Sequence, residues 1–139
     1  MEKASFSLKD YKFIKVELDF NDFKSPSLQL IIEPEGIFHS STRQYELTFI
    51  FKAVSDSKTI KNQKQIIFVK CVAFFEFNDI SKFEDIPEYF FTNSIAILFP
   101  YIRAFVSTLT LQANIPPIIL PTMNLISLQE KLKANTKEI

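Results

Sequence analysis

The chain has 139 residues, enough for one domain with a single core. Sixteen Lys and Arg balance sixteen Asp and Glu, which argues against nucleic-acid binding because such binding needs a basic surface. Sixteen Phe beside one Gly and no Trp load the chain with more apolar area than a small domain easily buries. We expect the excess apolar area to lie in exposed grooves or in subunit interfaces.

The first half of the chain predicts four strands. Apolar and polar residues alternate in residues 11–20, 28–33 and 43–54, as is typical of half-buried strands. Residues 65–77 are apolar on both faces, which indicates a central strand or one at an interface. The four strands predict one antiparallel sheet.

Short polar segments are predicted to connect these strands. Residues 21–27 form a connection or a long crossover, and residues 56–64 form a hairpin connection. Pro34 is expected to end the second strand, and Gly36 to supply the turn after it, since glycine tolerates positive φ.

The second half of the chain predicts a long helix. Between Ser94 and Asn124 the only charge is Arg103, and apolar residues recur every three or four positions up to residue 113. The helix begins at Glu88 or near Thr92. One sheet of a small domain covers only one stripe of such a helix, so its remaining face predicts a second subunit.

Prolines shape the rest of this region. Pro100 predicts a kink inside the helix, and the prolines of residues 115–121 prevent its continuation and hold an apolar loop extended. A short amphipathic helix is expected at residues 127–137. The predicted fold class is α+β, a four-stranded antiparallel sheet followed by a long kinked helix and a short helix, in one domain over residues 1–139.

The residues that carry chemistry are few. His39 and Cys71 are the only members of their types, too few for an ordinary zinc site, and a single glycine excludes a glycine-rich phosphate loop. We therefore expect a non-enzyme without metal or cofactor. The N-terminal residues carry no apolar secretory segment, and prolines and polar residues interrupt the uncharged residues 104–129, so we expect a cytoplasmic protein without a membrane span.

One stretch resembles a known family. The run Leu98-Phe99-Pro100-Tyr101-Ile102-Arg103 and the apolar loop ending in Pro121-Thr122-Met123-Asn124 resemble the signature region of the bacterial export chaperone SecB. The strands before this region and the short helix after it agree with that family in order. The resemblance implies an ATP-independent holdase that keeps polypeptides unfolded, assembled as a homotetramer, a dimer of dimers.

The resemblance also implies site residues. In SecB-like proteins, client segments lie in grooves between the crossover loop and the loop after the long helix. Matching positions here imply client contacts at Phe23, Leu28, Leu30, Ile32, Ile115, Ile118, Leu120 and Met123. Helix packing between sheets, and so subunit contact, is implied for Ile102, Val106 and Leu109.

The partners implied by the resemblance are unfolded preproteins or an antitoxin, together with the SecA motor. SecB is acidic where it docks on SecA, whereas this chain is neutral and Lys131 to Lys137 is basic, which argues against motor docking. Three roles therefore remain open at this point. They are an export chaperone, a dedicated chaperone of a toxin–antitoxin system, and an oligomeric scaffold whose own subunits fill the apolar groove.

Overall fold

The computed structural model describes residues 5–21, 28–55, 64–116, 118, 120 and 124–139. The chain forms the strands β1 (Phe6–Leu18), β2 (Leu28–His39), β3 (Gln44–Ser55) and β4 (Gln65–Phe77). A single 3-10 turn (Phe83–Asp85) leads to α1 (Glu88–Gln112), and α2 (Leu125–Ala134) and the short strand β5 (Thr136–Glu138) follow.

The sheet has five strands in the order β1-β4-β3-β2-β5. The first four are antiparallel to their neighbours, but β5 is parallel to β2, so the sheet is mixed. The predicted four-stranded antiparallel sheet is therefore corrected. The predicted helix at residues 127–137 ends at Ala134, and the three residues after Asn135 are too few to show an alternation in sequence.

The strands β1 and β2 follow one another in the chain but are not neighbours in the sheet. They lie three strand spacings apart, which is about 14 Å. Residues 22–27 of the predicted connection between them and residues 56–63 of the predicted hairpin connection lie outside the described residues.

The second strand does not end at Pro34, and Gly36 is not a turn residue. β2 continues through both to His39, and the turn that follows contains Arg43 with φ 59°. Pro34 fits because its missing N–H would point to the outer edge of β2, where β5 pairs only with residues 36–38. Gly36 is required for space, since a Cβ there would lie 1.8 Å from the Tyr45 hydroxyl oxygen.

Two irregularities in β1 change which side chains share a face. The pairing with β4 shifts between Leu8 and Asp10, and again between Phe13 and Lys15. Each shift inserts one extra residue, so the inward-facing set is not the one that simple alternation predicts. Val16 pairs with Val69, on the same face of the sheet as Phe13, whereas Ile14 is the extra residue and is 55% exposed.

α1 covers one face of the sheet. Near its start, the Phe90 ring packs within 6 Å of four rings on the strands: Phe6, Tyr45, Phe75 and Phe77. Farther along, Phe105 stacks on Phe13 with ring centroids 3.8 Å apart. Burial of each such ring contributes about 1.5–3 kcal/mol, so this aromatic contact is a main source of stability.

α2 packs against α1 and β2. Leu128 and Leu132 face the core, and the Thr92 hydroxyl donates to Gln129 at 2.5 Å. The Lys133 ammonium pairs with the Glu88 carboxylate at the start of α1. These contacts place α2, and the β5 strand that follows it, beside β2.

Candidate functional site

α1 ends in a defined cap. Asn114 adopts φ 61°, and its N–H donates to the Leu111 carbonyl at 3.0 Å. The Ile115 N–H donates back to the Thr110 carbonyl at 3.0 Å, which completes a Schellman motif. This cap confirms that the helix stops where the proline-rich segment begins, and it sets the direction in which that segment leaves.

Two helix hydroxyls then hold the loop main chain at Ile118. The Ile118 N–H donates to the Thr110 hydroxyl oxygen at 3.1 Å, and the Ser107 hydroxyl donates to the Ile118 carbonyl at 3.3 Å. Thr110 is fully buried. Only the position of Ile118 against α1 gives the two hydroxyls this role.

The predicted client contacts divide into three groups. Leu28, Leu30 and Ile118 are half-buried, pack against the core and keep part of their surface accessible, and Ile115 is half-buried as well. Ile32 and Leu120 are 4% and 2% exposed, so in this chain they are core residues with almost no surface to offer. Phe23 and Met123 lie outside the described residues.

The predicted subunit contacts lie on the inner side of α1. Ile102 and Val106 have no exposed surface within the single chain, and Leu109 is half-buried. These residues therefore hold the helix on its own sheet. Any subunit contact made by α1 must use its opposite side.

That opposite side carries a second stripe, which we call the outer stripe. Its exposed residues follow one another at steps of four and three, and Thr108 is its only residue without a mainly apolar side chain: Ile97, Tyr101, Ala104, Thr108 and Leu111. Leu111 is 61% exposed and Tyr101 42%. The Tyr101 ring packs on Tyr11 of β1 at 4.5 Å, so the outer stripe adjoins the outer edge of β1.

The outer edge of β2 is only partly paired. Within the described part of the chain, β5 pairs with Gly36, Ile37 and Phe38, and no other strand lies along that edge. Leu28 and Leu30 thus combine accessible side chains with a main chain at an open edge. Leu28, Leu30 and Ile118, which all stay half-buried against the core, are taken as the candidate site.

Two further side chains that can carry chemistry are Cys71 and His39. No cluster of three or more His, Cys, Asp or Glu comes together among the described residues. Burial raises the pKa of the Cys71 thiol to about 11, so the thiol is neutral at physiological pH and packs as a small apolar side chain. His39 lies at the end of β2, with its Nε2 3.4 Å from a Glu46 carboxylate oxygen.

Glu88–Gln112 is long and apolar enough to cross a bilayer by length and composition. One such helix is weak evidence for a membrane span, because the core helix of a soluble protein meets the same criterion. Here its inner side packs on the sheet of the same chain.

Comparison with known proteins finds similarity both in sequence and in structure. No model of a known family matches the chain. The uncharacterized protein MJ0357 of Methanocaldococcus jannaschii is 30% identical over 136 residues, which are 98% of this chain and 84% of that protein.

The structural match is to the Mycobacterium tuberculosis SecB-like chaperone Rv1957, solved in complex with a ChAD peptide from the HigA1 antitoxin Rv1956. The TM-score is 0.67 at 18% identity, and the match covers 86% of this chain and 91% of the chaperone. At this identity the likeness shows the fold. The chain therefore belongs to the same family as the M. jannaschii protein MJ0357, and its fold is that of a SecB-like chaperone.

Proposed function

We propose that the protein is an ATP-independent holdase that binds extended, apolar segments of non-native polypeptides. The observation that carries the proposal is the site formed by Leu28, Leu30 and Ile118. It combines accessible aliphatic side chains, a main chain at Ile118 held by two hydrogen bonds to α1, and a strand edge that no described strand covers over residues 28–34.

The two hydrogen bonds at Ile118 favour binding because they hold its main chain in place before a client arrives. Ser107 and Thr110 already hold Ile118, so a client does not have to immobilise it, and the entropic cost of association is lower. Each half-buried aliphatic side chain has only part of its surface left to bury, worth less than about 1.5 kcal/mol. Several such weak contacts hold a long chain by avidity while each can release, which suits a holdase.

The open edge of β2 adds contacts that do not depend on client sequence. A client in extended conformation satisfies main-chain donors and acceptors as an added strand, and its alternate side chains reach the aliphatic surface. Leu28 and Leu30 face the same side of the sheet as Ala53, which is the side that α1 covers. The client's apolar side chains would thus meet the two leucines on that side of the sheet.

We further propose that the protein works as a homo-oligomer, a tetramer in the SecB manner. The outer stripe and the outer edge of β1 form one continuous surface through the Tyr11–Tyr101 contact. Exposure of the Ile97 and Leu111 side chains to water is unfavourable, and a second copy of the chain that packs on the outer stripe removes that cost.

The client class receives support from the Mycobacterium tuberculosis chaperone, whose structure holds an antitoxin peptide. A dedicated peptide client of this kind agrees with the net charge of zero and with the lysines at residues 131, 133 and 137, which do not suit docking on the SecA motor. We place the protein in the cytoplasm, where such a client or a preprotein is synthesised.

The test measures aggregation and binding in the absence of ATP. The wild-type protein is expected to suppress aggregation of a thermally unfolded model enzyme and to bind reduced, carboxymethylated α-lactalbumin, which stays unfolded. Ile118→Ser is expected to weaken that binding about tenfold, equivalent to 1.4 kcal/mol. Ile126→Ser is the matched control, because the Ile126 side chain is 68% exposed on α2.

Failure of the wild-type protein on both clients would refute the holdase proposal. Equal loss in Ile118→Ser and Ile126→Ser would place the binding site elsewhere.

A second candidate is an oligomeric scaffold whose subunits fill their own apolar surfaces. Burial of Ile32 and Leu120 favours it, since two of the predicted contacts already serve the fold. Binding of an environment-sensitive hydrophobic dye to the native assembly separates the candidates, because a filled groove leaves the dye no site.

A further inference from the structure

The outer edge of β2 has two zones. Over residues 36–38 it pairs with β5, and over residues 28–34 no described strand covers it. The main-chain hydrogen bonds show which groups point outward. The Gly36 N–H donates to the Asn135 carbonyl at 3.1 Å, and the Phe38 carbonyl accepts from the Ile139 N–H at 2.9 Å.

In a β-strand these outward groups recur at every second residue. Leu28, Leu30 and Ile32 therefore direct their N–H and C=O groups toward the same edge as Gly36 and Phe38. Pro34, between the two zones, contributes an acceptor but no donor. The edge is one continuous ladder with a single missing donor, and β5 occupies its far end.

A part-buried hydrogen bond fastens β5 to the sheet. The Thr136 hydroxyl donates to the Leu132 carbonyl at 2.6 Å, which uses its only proton, so the Tyr45 hydroxyl donates to the Thr136 oxygen at 2.6 Å. Tyr45 is fully buried in the aromatic cluster around Phe90. Its hydroxyl reaches Thr136 only because Gly36 has no side chain in the way.

The rest of β5 is held weakly. It has three residues in parallel pairing, which is slightly less stable than antiparallel pairing, and both Lys137 and Glu138 are exposed. Beyond it, Ile139 is 70% exposed and is joined to β2 and the following turn by main-chain bonds and the Ser40 hydroxyl. Tyr45 and Thr136 thus supply a part-buried polar contact that retains the strand.

We propose that β5 is an internal occupant of the β2 edge, and that an extended client competes with it for the Gly36–Phe38 zone. This inference rests on the proposed function, and it adds a regulation of the same site. A strand edge accepts one partner at a time, so a client that pairs along Leu28–Ile32 and continues past Pro34 must displace β5. Release of β5 lengthens the usable edge by about half.

The proposal predicts the sign of a mutational effect. Tyr45→Phe removes the hydroxyl that holds Thr136 while the ring keeps its packing on Phe90. The variant is expected to bind reduced, carboxymethylated α-lactalbumin about threefold to tenfold more tightly than the wild type, because β5 leaves more readily. Tyr11→Phe, at the opposite edge of the sheet, is the matched control and is expected to bind as the wild type does.

A second measurement follows the strand itself. Hydrogen exchange in the full chain is expected to show the Ile139 amide losing protection when saturating client is added, because its acceptor on Phe38 is taken. The Gly36 amide is expected to stay protected, since the client replaces Asn135 as its acceptor. Thr136→Val, which also removes the Tyr45–Thr136 hydrogen bond, is expected to show the loss of Ile139 protection at lower client concentration.

The outcomes separate the two proposals. Absence of client binding by the wild type and by Tyr45→Phe overturns both. Client binding by the wild type, with affinity unchanged or reduced in a folded Tyr45→Phe protein, overturns the competition and leaves the holdase proposal standing. Persistent protection of the Ile139 amide at saturating client also overturns the competition and leaves the holdase proposal standing.

Discussion

The two outer edges of the sheet limit strand pairing by different means. β1 presents thirteen residues, but its two irregularities interrupt the regular ladder. β2 has a regular ladder with β3, yet its outer edge contains Pro34 and is covered over three residues by β5. Bulges, prolines and short covering strands are all means by which proteins avoid uncontrolled edge pairing. We infer that each edge can still pair, but only with a particular kind of partner.

The surfaces beside the edges differ as well. β1 adjoins aromatic pairs with α1, Tyr11 with Tyr101 and Phe13 with Phe105, which connect it to the outer stripe. β2 adjoins aliphatic side chains that stay half-buried. A long rigid surface suits a second folded copy, whereas a shallow aliphatic surface with free main chain suits an extended peptide. Four predictions test whether the β1 side binds a second copy and the β2 side binds an extended peptide.

The largest effect is expected from Val106→Asp, which disrupts the packing of α1 on the sheet. Both edges depend on that packing. Val106 is fully buried between α1 and the sheet, and a carboxylate there has no described partner. The loss of unfolding free energy is expected to be about 4 kcal/mol or more, sufficient to unfold many domains of this size. Circular dichroism on heating measures it, and Gln112→Asp, at an exposed position of the same helix, is the control.

Leu120→Ser is expected to lower the stability of the fold on the side of β2. Leu120 is 2% exposed, so the change leaves a cavity and a buried hydroxyl, at a cost of about 3 kcal/mol in unfolding free energy. Denaturant titration measures this loss beside Ile126→Ser, which is expected to change it by less than about 0.5 kcal/mol. A stability equal to that of the wild type would return Leu120 to the list of client contacts.

The combined change Ile97→Asp and Tyr101→Asp is expected to act on the β1 side alone. Both side chains are exposed in the single chain, so the fold is expected to remain while the charges prevent a second copy from covering the outer stripe. Light scattering on a size-exclusion column is expected to show smaller particles than for the wild type. A wild-type assembly with both aspartates in place would move the subunit contact away from α1.

The smallest effect is expected from pH, through the contact that holds α2 on the β2 side. The hydrogen bond from Lys133 lowers the pKa of Glu88 below its ordinary value of 4.5, so the pair adds stability above that value and loses it as the pH falls through the lowered pKa. Glu88 is at the surface, where such pairs contribute little. Glu88→Gln is expected to remove a small decline in α2 protection between neutral pH and pH 3, measured by hydrogen exchange.

Much of the fold was predictable because it depends on local periodicity. Alternation located β3 and β4 to within a residue at each end, and the three-to-four spacing identified the core stripe of α1 at Ile95, Leu98, Phe99, Ile102 and Val106. The end of α1 was predictable from its prolines, and the cap at Asn114 confirms it. The order of elements also allowed the resemblance to SecB, which the structural match supports.

The candidate site was predictable only in part. The sequence pointed to the loop after α1 and to β2, but it could not divide the aliphatic residues into those that face a groove and those that fill the core. Ile118 and Leu120 are two residues apart and similar in character, yet one stays half-buried and the other is covered. That difference depends on how the loop returns over the sheet, which no local pattern encodes.

By itself, the sequence determined where strands and helices form, that the chain has one core, and that its apolar area exceeds what one face of a sheet can cover. These properties follow from residue type and spacing. Tertiary structure alone decided that β2 runs through Pro34 and Gly36, that Ser107 and Thr110 hold the loop, and that residues 136–138 add a fifth strand. Each of these features depends on a contact between residues distant in sequence, above all that of Gly36 with Tyr45 and Thr136. The geometry of such a contact exists only once the sheet and both helices have come together.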